Sequence, residues 1–232
     1  TTLNIMPGSG HLIGGQTIYV KLRFDGDGPR KIDDLFLRDA NDQPLGGLKM
    51  ANGTNSMQKP PPFPGTRGKS AYLVREQFIK AREYQSKIDR AEGNADKMPP
   101  HDLHLATLVE AMQGQRMVHY HTHRHDDIMT VIRLSREFQF PVVLHHVSEG
   151  WRVADEIGKS GVPCSILLID SPGGKLEARY VRPETARILE QAGVRVAFHT
   201  DDWITDSRIF FRMAAMGVRS GMSRKAALEG LT

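Results

Sequence analysis

Arg116-Met-Val-His-Tyr-His-Thr-His-Arg-His-Asp-Asp-Ile128 opens a rhythm that the rest of the chain repeats. The apolar start, Arg116 to His121, suits a short buried strand. Asp126 and Asp127 then stand as N-cap and first-turn acids, where the helix dipole favours negative charge, and Ile128, Val131, Ile132 and Leu134 follow at helical spacing. Pro141 to His146 predicts the next strand, Ser148 an N-cap, and Trp151, Val153, Ala154 and Ile157 a helix closed by Gly161. Val162 to Ile169 predicts a third strand, Asp170 to Gly174 a loop, and Pro183 to Gln191 a helix closed by Gly193. Val194 to His199 predicts a fourth strand, with Thr200-Asp201-Asp202 after it and a helix from Thr205 to Met216. Strands alternating with helices at this spacing imply a parallel sheet.

Upstream the pattern is coarser. Strands are expected at Thr17 to Phe24 and Gly47 to Met50, and helices at Ser70 to Arg90 and Leu103 to Gln113. Pro60-Pro-Pro-Phe-Pro-Gly65 can continue neither, because each proline fixes φ and lacks a donor, so an ordered surface loop or lid is expected there. The length of 232 residues fits one α/β domain of the (β/α)8 TIM-barrel type, or most of one, over 1–232. With 39% apolar and 25% charged residues the composition is that of a globular chain, and no apolar run approaches the roughly 20 residues a bilayer requires. No membrane partner is expected.

The formal charge of +4 does not mark a nucleic-acid binder: basic residues alternate with acidic ones, as at Arg75-Glu76 and Arg82-Glu83, and aromatics make up 7%. The lone Cys164 sits in the apolar run Val162 to Leu168 and reads as an inert core thiol, which leaves the compartment open. Gly8 to Gly15 leads into a strand, not into a helix N-terminus that could hold phosphate. Ser171-Pro-Gly-Gly-Lys175 lacks the first Gly and the trailing Ser/Thr of a Walker loop, and the serine-hydrolase elbow does not occur.

The chemistry gathers at strand ends. His119, His121 and His123 close one strand, His145 and His146 the next, and His199 and Asp201 the last. In a parallel barrel all strand C-termini emerge on one face, so these side chains converge, and imidazole with carboxylate suits a catalytic divalent ion. A single such histidine is more often a hydrogen-bonded core residue, and His119 to His125 alone could be a surface tract. The set as a whole points to a site.

These residues resemble a known family. Val118-His-Tyr-His-Thr-His-Arg-His-Asp-Asp-Ile128, Val143-Leu-His-His-Val-Ser-Glu149 and Val196-Ala-Phe-His-Thr-Asp-Asp202 look like the fifth, sixth and eighth strand ends of the amidohydrolase superfamily, closest to its imidazolonepropionase and Xaa-Pro dipeptidase-like branch. Gly47-Leu-Lys-Met-Ala-Asn-Gly53 is similar to the strand that carries a lysine in dinuclear members, and Ile13-Gly-Gly-Gln16 also looks like this branch. The resemblance implies metal ligation by His121, His146, Asp201 and Lys49, the last carboxylated where two metals are held. It implies zinc first among the divalent metals, one or two ions. It makes Asp201 the general base and acid, and His123, Arg124, His145 and His199 substrate contacts or supports of the ligands. The superfamily's first-strand His-x-His has no counterpart upstream of Lys49. The first strand and the β-sandwich usually built from both chain ends are therefore expected outside this sequence, which then reads as a fragment of a longer protein.

The function this implies is metal-dependent hydrolysis of an amide-type C–N bond in a small cyclic amide or a dipeptide, and a homo-oligomer is compatible with it. A cyclic-amidine deaminase is the alternative within the family, kept open by Glu149 beside His146. A noncatalytic metal-binding barrel is the alternative outside it.

Overall fold

The computed structural model describes residues 2–22, 31–57, 62–168, 175–202 and 204–231. In chain order come β1 (Thr2–Ile5), β2 (Ile13–Gln16), β3 (Ile18–Lys21), β4 (Gly47–Ala51), α1 (Arg67–Ala91), α2 (Leu103–Met112), β5 (Met117–Thr122), α3 (His125–Phe138), β6 (Val142–His146), α4 (Ala154–Ser160), β7 (Cys164–Ile166), α5 (Glu184–Gln191), β8 (Val196–Phe198), α6 (Phe210–Arg219) and α7 (Arg224–Glu229). β1 and β3 form a small antiparallel pair. The main sheet runs β2-β4-β5-β6-β7-β8, with β2 antiparallel to β4 and the other pairs parallel. Neighbours in the parallel part follow chain order, each joined to the next through helix, as in a (β/α) barrel. This barrel is open: β2 forms one edge and β8 the other.

Period-two alternation divides the residues of each strand between two faces. Leu48, Met50, Val118, Tyr120, Leu144, Cys164 and Ile166 join the hydrophobic core, where Ile128, Val131 and Ile132 of α3 also lie. Lys49 is in register with His119, and Ala51, His121, His145, Ser165 and Ala197 form a row across β4 to β8. Farther out, Phe78 of α1 stacks on Phe138 and Phe140 with centroids at 5.1 and 4.7 Å, locking α1 over the end of α3. Helix α1 starts where Thr66 Oγ1 accepts from the Lys69 N–H at 3.2 Å, and α2 where Asp102 Oδ1 accepts from the Leu105 N–H at 3.0 Å.

Several expected elements are shorter or differently placed. The strand expected from Thr17 is β3, Ile18–Lys21, and ahead of it Gly15 has φ +114, the β2–β4 register shifts between Ile13 and Gly15, and Thr17 bonds Gly47 through both its N–H and its hydroxyl. The chain leaves one sheet there and enters the other, and residues 23–30 lie outside the described segments. The helix expected after Ser148 is a 3-10 turn, Gly150–Arg152, followed by α4, because the backbone is left-handed at His146 and Val147. Helix α3 starts two residues before Asp127, at His125, whose N–H donates to Glu149 Oε2 at 3.2 Å: the cap comes from another loop. The third and fourth strands of the repeat are trimmed to β7 and β8, and α6 begins at Phe210 after a 3-10 turn over Ser207–Ile209. The loop expected at Asp170 to Gly174 falls outside the described residues, as do Pro60 and Pro61. Phe63, beyond them, is exposed.

Candidate metal centre

The parallel strands of this sheet end side by side, and at that end six imidazoles pack together. His119 and His121 stand two apart on β5 and so face the same way. His145 and His146 are adjacent on β6, and strict alternation would send them to opposite faces. His146 escapes this through its φ of +71, followed by +53 at Val147. A β-branched residue in the left-handed region is strained, and such strain gathers at functional sites. Both rings end near His199, at centroid distances of 5.2 and 4.8 Å.

The network sorts these histidines by what their nitrogens do. His119 Nε2 meets the Tyr19 hydroxyl at 2.7 Å, and its Nδ1 meets His145 Nε2 at 2.9 Å. His123 Nδ1 bonds Ser148 Oγ at 2.7 Å. His199 Nδ1 bonds Ser165 Oγ at 2.9 Å, while its Nε2 bonds His146 Nδ1 at 3.1 Å. Three buried imidazole nitrogens have no hydrogen-bond partner, His145 Nδ1 and, on two neighbouring rings, His121 Nε2 and His146 Nε2. An unsatisfied buried polar atom costs about 1–3 kcal/mol, so two of them on rings 4.4 Å apart call for a ligand. His121, His123 and His146 offer ligand atoms that all lie within 4.8 Å of one another. This buried triad is able to hold a metal ion.

Burial keeps all six imidazoles neutral, as ligation requires. Desolvation, with help from Lys49, lowers His119 to about 4 and His199 to about 3; desolvation, then Lys175 and His199, lowers His123 to about 3. His121, His145 and His146 are lowered well below the ordinary value, by desolvation first and by neighbouring imidazoles next. If His146 Nε2 keeps its lone pair for an ion, the ring proton sits on Nδ1 and is donated to His199 Nε2. His199 then donates from Nδ1 to Ser165, so one tautomer runs through the chain.

Lys49 is buried on β4, and its pKa is lowered by desolvation and by Lys175, against an opposing pull from Asp201. Asp201 sits at the rim with its side chain 40% exposed and φ at +48, its Oδ2 4.0 Å from His146 Nε2. At that distance from a neutral imidazole there is no ion pair. The structure thus brings together His121, His146, Asp201, Lys49, His123, His145 and His199. It does not bring Arg124, whose guanidinium grips Asp126 through two bonds of 3.0 and 2.9 Å on the outer surface.

No family model matches the chain. Amidohydrolase tasK of Hapsidospora irregularis is 26% identical over 248 residues, which take in all of this chain and 25% of that protein. The crystal structure of an amidohydrolase from Thermotoga maritima superposes with a TM-score of 0.86 at 27% identity, covering all of this chain and 59% of that one. The chain is thus similar to amidohydrolases in sequence and in fold. It spans a quarter of the curated relative and under two thirds of the structural one. The open sheet resembles that amidohydrolase over part of its length.

Sequence reasoning passed over four members of this site. Tyr19, Ser148 and Ser165 terminate the imidazole chains, and Lys175 Nζ stands 3.4 Å from His123 Nε2. Ser165 had a legible signal, since it shares the row of His121 and His145, while Tyr19 and Lys175 arrive over long sequence distances that no local pattern records.

Proposed function

We propose that this chain forms the catalytic face of a metal-dependent hydrolase that cleaves an amide-type C–N bond in a cyclic amide or dipeptide, as in the imidazolonepropionase and Xaa-Pro dipeptidase-like branch. The observation that carries the reading is the pair of buried, unpartnered nitrogens, His121 Nε2 and His146 Nε2, beside the Asp201 carboxylate. His121 and His146 would hold a divalent ion, zinc first, with Asp201, His123 and Lys49 completing the donor set in a mono- or dinuclear centre. The ion would supply Lewis acidity toward the scissile carbonyl and toward water.

The chain's own residues do the rest. Asp201, half in solvent at the rim, takes a proton from the attacking water and returns it to the leaving nitrogen. His199 holds His146 in the tautomer that leaves Nε2 available. A carbamate forms on a neutral amine, and burial of Lys49 favours that form. The deaminase alternative would need Glu149 to face the substrate, but its carboxylate is committed to His125 Nδ1 at 2.6 Å and to the His125 N–H. That commitment favours the hydrolase.

The test is elemental analysis of the native protein with His146→Ala and Asp201→Asn, alongside assays of dipeptide hydrolysis and of ammonia release from cyclic amidines. His146→Ala should lose metal. Asp201→Asn should fold and lose on the order of 10²–10⁴-fold in rate. A native protein without metal, or Asp201→Asn with undiminished activity, refutes the reading, and ammonia release alone would favour the deaminase.

A further inference from the structure

Tyr19 reaches the imidazole cluster from outside the parallel part of the sheet. Its backbone is tied on both sides, the N–H donating to Leu45 O at 3.1 Å and the carbonyl accepting from the Leu37 N–H at 2.9 Å. Two residues earlier, Thr17 bonds Gly47 at 2.9 and 2.8 Å. His119 rests on the same glycine: a Cβ there would lie 2.5 Å from His119 Cδ2 and 2.9 Å from its Nε2. The phenol meets that Nε2 at 2.7 Å, with the two rings edge to face at a centroid distance of 5.7 Å. The place and the orientation of the His119 ring are set together.

The bonds that follow form one line. It runs from the Tyr19 hydroxyl to His119 Nε2, and from His119 Nδ1 to His145 Nε2 at 2.9 Å. It ends at His145 Nδ1, which is buried and has no hydrogen-bond partner among the described residues. The first member gives the line its direction. Burial raises the Tyr19 pKa, so the phenol keeps its proton. A phenol is a stronger acid than a neutral imidazole N–H, and an imidazole nitrogen is the stronger base, so the hydroxyl donates. A neutral imidazole has one donor and one acceptor nitrogen, so His119 donates from Nδ1 and His145 is left with its proton on Nδ1. A buried N–H without an acceptor is rare and asks for an explanation. This one belongs to the row that His145 shares with His121 and Ser165, one row from Lys49 and His119.

We propose that Tyr19 is a positioning residue: acting through His119, it fixes the neutral His145 ring with its proton on Nδ1, and that N–H receives a carboxylate-type oxygen inside the barrel. No ring changes charge in this scheme. Two sources carry such an oxygen, a carbamate on Lys49 and a free carboxylate of substrate or product. The carbamate forms as the neutral Lys49 amine adds to carbon dioxide, making one N–C bond and releasing one proton to solvent. The use of the site rests on the hydrolase reading above, and the hydrogen-bond line does not.

The test is NMR of the isotope-labelled histidine ring nitrogens in native protein and in Tyr19→Phe, in buffer freed of carbon dioxide. Labelled bicarbonate and, separately, formate are then titrated in. The native spectra should show His119 and His145 protonated on Nδ1, and Tyr19→Phe should leave both rings as mixtures of the two tautomers. A probe that binds should move the His145 Nδ1–H resonance, and Tyr19→Phe should weaken it about 2- to 10-fold. A carbamate carbon signal that Lys49→Met abolishes identifies the lysine as the source, and a response to formate alone identifies a free carboxylate. Three results overturn the proposal: His145 protonated on Nε2 in the native protein, no response to either probe, or Tyr19→Phe with native tautomers and native probe affinity. Should Tyr19→Phe not fold, the native tautomers and the probe response still decide. Neither readout needs turnover, so a protein that binds a probe at His145 and hydrolyses nothing loses the hydrolase reading and keeps this one.

Discussion

Replacing Arg67 with Met should unlock the rim of the site. Arg67 is 26% exposed, but the carboxylates it holds are not: Asp127 is 5% exposed and Glu177 2%. The substitution keeps much of the aliphatic packing and strands two buried acids. Breaking a buried ion pair from one side costs about 3–5 kcal/mol, because the remaining charge keeps its desolvation penalty. The cost should depend on pH. Asp127 is already raised by burial, and the hydrogen bond and charge of Arg67 hold it down. Without Arg67 it rises further above its unfolded value of about 3.9. A group with a raised folded pKa gives stability that is present below its unfolded pKa and is lost as pH rises through the folded one. The deficit of Arg67→Met relative to the native protein should therefore be smaller at pH 5 than at pH 8. Urea unfolding at both pH values measures it, and the double variant Arg67→Met/Glu177→Gln should cost at least about 1 kcal/mol less than the sum of the single variants. A deficit under about 1 kcal/mol at pH 8, or one that does not change with pH, would show that these carboxylates are solvated.

Gly47→Ala should lose about 2–3 kcal/mol in the same assay, since the new Cβ would meet His119 Cδ2 at 2.5 Å and Met117 O at 2.6 Å, forcing β4 from β5; a loss below about 0.5 kcal/mol refutes the close packing there. His199→Ala removes the partner of His146 Nδ1 and should weaken metal binding by about 10- to 100-fold in chelator competition, with His199→Gln recovering part of it; an unchanged affinity would mean that His146 needs no support from β8.

The parallel half of this fold was legible because its signals are local. Apolar runs at Met117, Val142, Cys164 and Val196 announce the strands, and the polar groups that follow lie at one end of the sheet by topology alone. His119, His121, His123, His145, His146, His199 and Asp201 are thus legible in the sequence as one set of strand-end groups, and the choice of His121, His146 and Asp201 among them is what the family resemblance implies. What escaped was non-local. Nothing near Thr17 states that the chain changes sheets, since the partners of that change are the backbone and hydroxyl bonds to Gly47. The start of α3 depends on a carboxylate 24 residues away, at Glu149. Lys175 meets His123 across 52 positions, and Glu177 beside it is held by Arg67 and Thr54, more than 100 positions upstream. Arg124, a substrate contact or ligand support by the family resemblance, is turned out by two bonds to Asp126.

The sorting of charge around the histidines has its own logic. Each imidazole chain ends on a hydroxyl, Tyr19, Ser148 or Ser165, and not on a carboxylate. A hydroxyl donates or accepts as its partner requires and brings no charge. A buried carboxylate in those places would favour imidazolium, and a protonated ring cannot ligate. The acids nearest the cluster are instead tied to cationic or titratable partners on its outside, Asp127 and Glu177 to Arg67 and Glu149 to His125. Neutral nitrogen therefore fills the interior, and Asp201, at the rim, is placed to exchange protons with solvent and substrate. Moving one acid inward, as in Ser165→Asp, would raise His199 toward its charged form and turn its Nε2 from acceptor to donor. His146 would then have to offer Nδ1 as an acceptor, its proton would move to Nε2, and the nitrogen that now lacks a partner would no longer be free to bind a metal.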